Sequence, residues 1–134
     1  MAATGSKSLP LTCEQDIVLA RQAIRRAAQQ IGFGIVDQTK IVTAASELTR
    51  NALLYGGGGT LEWGVVAESG RQGLRLTVVD HGPGIEDLAL AMKDGYTTGT
   101  GLGMGLPGAK RLVNEFKISS KPGAGTTVVV TRWK

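Results

Sequence analysis

The sequence predicts an α+β fold in which helices and strands segregate into two packed layers. Three observations lead there. Two helical patterns come first, over 14–32 and 36–55; two pairs of short alternating strands follow; and a glycine-rich stretch, 82–105, separates the pairs. The order, once an edge strand at 8–12 is added, is β-α-α-β-β-lid-α-β-β, in which helices and strands segregate, so an α+β sandwich fits better than a doubly wound parallel sheet. With 134 residues, 42% of them apolar, the chain is expected to form one domain over 8–134 behind a flexible 1–7, burying about two-thirds of its unfolded surface.

Ser8-Leu9-Pro10-Leu11-Thr12 reads as a short edge strand, the place in a sheet where proline is tolerated. In the first helix Ile17, Ala20, Ile24, Ala27, Ala28 and Ile31 fall at helical spacing, and Gly32 or Gly34 supplies the stop. Arg21, Arg25 and Arg26 lie off that stripe, as a solvated face or a docking surface for a protein. The second helix, Val36 to Tyr55, carries the stripe Ile41, Ala44, Ala45, Leu48, Ala52 and Tyr55 and ends at Gly56 to Gly59. Strands at 60–68 and 74–80 form a hairpin around 69–73, and a short helix is expected over 85–93. Leu106 to Glu115 then reads as a helix, and 116–120 with 126–133 as a closing hairpin around Lys121-Pro122-Gly123-Ala124-Gly125.

Composition narrows the function classes. No apolar run approaches the roughly 20 residues of a membrane span, and Met1 to Lys7 lacks the apolar core of a signal peptide. The expectation is a cytoplasmic protein without a membrane partner. Cys13 is the only cysteine, which excludes an internal disulfide and a cysteine zinc cluster. The net charge of +4 permits acidic partners. The aromatic residues Phe33, Tyr55, Trp63, Tyr96, Phe116 and Trp133 are dispersed, however, so no stacking platform for nucleic acid is expected.

The chemistry-bearing motifs are ordered along the chain. Glu47 and Asn51 are four residues apart on the second helix and stand on one face, one turn from each other. Asp80 ends the run Leu74 to Val79 and begins Asp80-His81-Gly82-Pro83-Gly84, which places a carboxylate where a strand leaves the core. Such a group needs hydrogen-bond donors, and an adenine amino group is one. Gly101-Leu102-Gly103-Met104-Gly105 precedes the third helix, where glycines allow main-chain amides to approach a phosphate. Gly103 to Gly108 also matches G-x-G-x-x-G, but no strand precedes it and too little chain follows for a dinucleotide fold. The Walker sequence and the eukaryotic-type kinase motifs are absent.

Taken in order, Glu47-x-x-x-Asn51, Asp80-x-Gly82-x-Gly84, Gly101-x-Gly103-x-Gly105 and Gly123-x-Gly125-Thr126 resemble the boxes of the GHKL ATPases, the superfamily of gyrase, histidine kinases and MutL. Within it the chain more closely resembles the serine/threonine kinases of the bacterial stressosome pathway. That likeness runs through Asp16-Ile17-Val18-x-Ala20-Arg21-Gln22, Ser46-Glu47-Leu48-x-Arg50-Asn51, Gly82-Pro83-Gly84-Ile85, Gly95-Tyr96-x-Thr98 and the stretch from Gly101 to Leu112. It implies a two-layer α/β sandwich with a mixed, mostly antiparallel sheet and a glycine-rich ATP lid.

The resemblance also implies residue roles. Glu47 would be the general base, and Asn51 would ligate Mg²⁺ and touch the nucleotide, ATP or ADP. Asp80 would accept the adenine amino group above Gly82, Gly84 and Ile85, supported by the Thr126 hydroxyl. Tyr96, Thr97, Thr98, Gly99, Gly101, Leu102, Gly103, Met104, Gly105 and Leu106 would line the lid side. The partners it implies are STAS-domain scaffold and antagonist proteins and a metal-dependent phosphatase, with a homodimer compatible. His81, the only histidine, is expected as an exposed loop residue, and a complete histidine kinase is excluded for want of a phosphoacceptor helix pair. An anti-sigma factor that binds ATP, and an ATPase without a protein substrate, are the competing readings.

Overall fold

The computed structural model describes residues 4–83 and 105–134. Its elements are β1 (Thr4–Leu11), α1 (Gln15–Gln30), α2 (Ile35–Gly56), β2 (Gly59–Glu68), β3 (Arg71–Asp80), α3 (Gly105–Arg111), β4 (Glu115–Ser120) and β5 (Thr126–Trp133). The strands form one sheet in the order β1-β2-β3-β5-β4. Each neighbouring pair is antiparallel, so the expected mixed sheet is corrected to an antiparallel one among the described residues. The cause is the order of return: β5 inserts beside β3, and β4, its hairpin partner, is left at the edge.

Alternation in the strands gives the sheet one apolar face. Leu61, Val78 and Val128 are cross-strand neighbours, as are Leu76 and Val130, and all five are buried. Against them pack Ile24 and Ala28 of α1, Ile41, Ala45, Leu48 and Ala52 of α2, and Leu106 and Ala109 of α3. Each fully buried Leu or Ile contributes roughly 1.5–3 kcal/mol of transfer free energy. On the other face Trp133 lies over Gly73, with the Arg71 guanidinium 4.1 Å from its ring centre. Among the described residues no helix is long and apolar enough to cross a membrane.

The element boundaries differ from the sequence reading in four informative places. First, β1 begins at Thr4 and not at Ser8, with an irregular register between Thr4 and Lys7. Pro10 lies in β1, an edge strand as expected. Second, β3 begins at Arg71, because β2 and β3 turn around Ser69 and Gly70 alone. Third, α3 stops at Arg111 and not at Glu115. The chain is drawn into the sheet there: Asn114 N–H donates to the Thr131 carbonyl at 2.9 Å, Trp133 N–H donates to Asn114 Oδ1 at 2.7 Å, and Arg132 Nη1 donates to the Leu112 carbonyl at 3.0 Å.

Fourth, Tyr55 is 44% exposed and not part of the buried stripe of α2. The stripe runs 41, 45, 48, 52 and continues at Gly56, which faces the end of β3; Tyr55 is rotated about 100° from it. At the start of α1, Asp16 Oδ2 accepts from Thr12 N–H at 2.8 Å, Thr12 Oγ1 at 3.0 Å and Cys13 N–H at 3.2 Å. These bonds, the Thr12 backbone bond foremost, hold the Asp16 carboxyl below its ordinary range. The expected helix over 85–93 lies outside the described residues.

Candidate nucleotide site

Asp80 stands at the end of β3, paired in register with Gly59 on β2 and Thr126 on β5. Its carboxylate is half-buried, and Oδ1 accepts the Gly82 N–H at 3.0 Å, the local bond by which an aspartate folds the next two residues into a turn. No other donor among the described residues meets that carboxylate. It therefore retains acceptor capacity for an amino group that comes from outside the chain.

Three stretches of backbone close on Asp80, and each does so at a glycine. A methyl at Gly56, the last residue of α2, would overlap the Asp80 carboxylate; one at Gly82 would come within 2.6 Å of Gly56 Cα. One at Gly125 would strike the Asp80 carbonyl oxygen. The loop 121–125 is tied to the turn by Gly123 N–H, which donates to the Pro83 carbonyl at 2.6 Å. The result is a carboxylate held in a close-packed cradle of main chain with acceptor capacity to spare. A donor such as the amino group of a purine would satisfy that capacity.

Thr126 is buried and lies across from Asp80. Its hydroxyl is 2.7 Å from Ser120 Oγ, which in turn donates to the Gly125 carbonyl at 3.1 Å. Thr126 thus touches Asp80 through strand pairing, while its side chain holds Ser120 and, through it, the Gly125 loop. Ser120 and Gly56 are the residues that sequence reasoning missed. A glycine continuing an apolar helical stripe could have revealed Gly56; nothing in the sequence marked Ser120.

The second cluster stands on α2. The Glu47 side chain is 16% exposed, and its Oε2 accepts Arg50 Nη1 at 3.0 Å across one helical turn. Asn51, on the following turn, is half-buried, and its side-chain amide bonds to no described residue. A neutral oxygen left without a partner beside a shielded carboxylate suits Mg²⁺, which takes few protein oxygens and shares substrate phosphates. Among the described residues no three His, Cys, Asp or Glu side chains gather as a metal cage.

Gly105 opens α3, which packs against α2. Leu106 is 5% exposed and belongs to the core, so what it can offer a ligand is main chain. His81 is exposed, as expected, and so are Lys110 and Arg111. Gly84, Ile85, Tyr96, Thr97, Thr98, Gly99, Gly101, Leu102, Gly103 and Met104 lie outside the described residues.

Comparison with known proteins places this geometry. Residues 36–134 match the family described as histidine kinase-, DNA gyrase B-, and HSP90-like ATPase. The chain is 49% identical over 120 residues to the serine/threonine-protein kinase RsbT of Bacillus subtilis (strain 168), with 90% of each chain covered. It is 30% identical over 130 residues to the anti-sigma F factor of Thermoanaerobacter sp. (strain X514), covering 92% of this chain and 89% of that one. Among solved structures it resembles the RsbU and RsbW domains of a Mycobacterium tuberculosis protein, with a TM-score of 0.68 and 23% identity. That match covers 98% of this chain but spans only 33% of the other.

Proposed function

Because the chain belongs to the histidine kinase-, DNA gyrase B- and HSP90-like ATPase family and is a serine/threonine-protein kinase within it, we propose that it phosphorylates STAS-domain proteins in a bacterial partner-switching pathway. When released from them, it binds and activates a metal-dependent phosphatase. The observation that carries the reading is the pairing of two built sites: the Asp80 carboxylate in its glycine cradle and the Glu47–Asn51 face of α2.

In this reading the Asp80 carboxylate accepts the adenine amino hydrogen, while Gly56 and Gly82 let α2 and the 80–83 turn pack closely enough to hold it in place. Asn51 offers its amide oxygen to Mg²⁺, which when bound offsets charge on the phosphates. Glu47 receives the proton of the attacking serine or threonine hydroxyl on Oε1, because Oε2 is held by Arg50. Shielding from water strengthens that interaction.

The test mixes the purified protein with labelled ATP, Mg²⁺ and the STAS proteins encoded beside it. Labelled serine or threonine is the expected product; bound nucleotide without labelling would sink the kinase reading for those substrates. The similarity to anti-sigma F factors over 92% of the chain supports a second reading, an ATP-binding anti-sigma factor. Co-purification with a sigma subunit, and with neither STAS protein nor phosphatase, would establish it instead.

A further inference from the structure

A second concave site lies away from Asp80, between α1 and the edge of the sheet. Trp63 and Leu74 from the strands and Ala23 and Ala27 from the helix wall a cleft of about 110 Å³, and Lys7 and Arg26 stand at its rim. The alanines explain the opening: small side chains on α1 face the large indole across the gap. Trp63 remains half-buried although it joins the core. The two cations are exposed, and neither has a carboxylate partner among the described residues. No acidic side chain lines the cleft.

Position matters as much as chemistry. Leu74 pairs with Val65 near the turn end of the β2–β3 hairpin, and Asp80 pairs with Gly59 at the other end. Six residues of strand separate them, about 20 Å at 3.3 Å per residue. A ligand here leaves the nucleotide cradle free.

We propose that this cleft docks an extended, acidic-apolar segment of a partner protein, one aliphatic side chain entering against Trp63 and flanking carboxylates meeting Lys7 and Arg26. Charge selects this occupant over others. A purely apolar peptide leaves the two cations unanswered, and a basic one opposes them. The cleft volume suits one aliphatic side chain and not a folded helix. Because binding is read without nucleotide, the proposal stands or falls apart from the kinase assignment.

The test is a titration of the ¹⁵N-labelled full chain, without ATP, by the blocked peptide acetyl-Glu-Leu-Glu-Leu-Glu-amide. Its glutamine and lysine counterparts and inorganic phosphate are run in parallel. Expected are amide shifts confined to Lys7, Arg26, Val65 and the Trp63 indole, with the glutamine peptide about tenfold weaker. The Lys7→Glu/Arg26→Glu variant should lose the acidic peptide and gain the lysine peptide, which shows that it is folded. Equal binding of the acidic and glutamine peptides, shifts elsewhere, no shift at all, or the same shifts from phosphate alone would overturn the proposal. So would concentration-dependent shifts at these amides without peptide, because the occupant would then be a second copy of the chain.

Discussion

Gly123 and Gly125 have nearly the same backbone, with φ of +81° and +79°, but different surroundings, which makes them an internally controlled test of the cradle around Asp80. At 123 an added Cβ meets nothing within 4 Å; at 125 it overlaps the Asp80 carbonyl oxygen and comes to 3.0 Å from His81 Cα. Gly123→Ala therefore incurs only the left-handed strain, about 1 kcal/mol. Gly125→Ala incurs the same strain and must also push the 80–81 peptide away, an overpacking cost of about 1–3 kcal/mol, for a total of about 2–4 kcal/mol. Because the displaced peptide carries the Asp80 carboxylate, nucleotide affinity should fall at least about tenfold, near 1.4 kcal/mol, in Gly125→Ala and stay unchanged in Gly123→Ala. Urea unfolding measures the first quantity, and titration with a fluorescent ATP analogue in the absence of urea measures the second. Equal destabilisation of the two variants, or undiminished affinity in Gly125→Ala, would refute the steric account.

Glu47→Gln should lower phosphoryl transfer by about 10²–10⁴ while leaving nucleotide affinity intact, whereas Asp80→Asn should weaken affinity by about tenfold to a hundredfold; single-turnover kinetics and equilibrium titration separate the two. Arg132 holds Asp37 through Nε and Nη2 and the Leu112 carbonyl through Nη1. Arg132→Met, which keeps the apolar stem, should cost about 1–2 kcal/mol in urea unfolding, the lower part of the range for charged hydrogen bonds because Asp37 is 38% exposed. Asp16 has a carboxyl held below its usual range by donors from Thr12 and Cys13, so its contribution is present above the unfolded-state pKa and lost as pH falls through the folded value. Asp16→Asn should accordingly be less stable than the parent at pH 7, and urea unfolding should show the gap closing as the pH falls below the ordinary carboxylate range.

The sequence made the strands legible wherever polar and apolar residues alternate: β5 lies at 126–133 as expected, and β2 is longer by one residue. Helical stripes were equally clear, since Ile17, Ala20, Ile24 and Ala28 are buried as their spacing requires. What periodicity could not register was the influence of contacts distant in the chain. The stop of α3 depends on Arg132 and Asn114 meeting partners across the sheet, and the extension of β1 to Thr4 depends on pairing with Val65. The Glu47–Asn51 pair gained meaning in the sequence only beside the later glycine motifs; the glycine cradle was not legible at all, because a missing side chain gains meaning only when the opposing backbone is known.

Gly56 links the two halves of the site, because it belongs to α2 yet touches Asp80. That contact fixes where the helix stands relative to the carboxylate. Counting back along α2 at 1.5 Å per residue, Asn51 lies about 7.5 Å from Gly56 along the axis and Glu47 about 13.5 Å. One rigid element therefore carries all three residues, with Asn51 turned about 140° and Glu47 about 180° from Gly56 around its axis. A helix of 22 residues anchored in the core by Ile41, Ala45, Leu48 and Ala52 cannot change those spacings without disrupting its packing. The proposed sites at Asp80 and Glu47 are thus held at a fixed separation by a single helix.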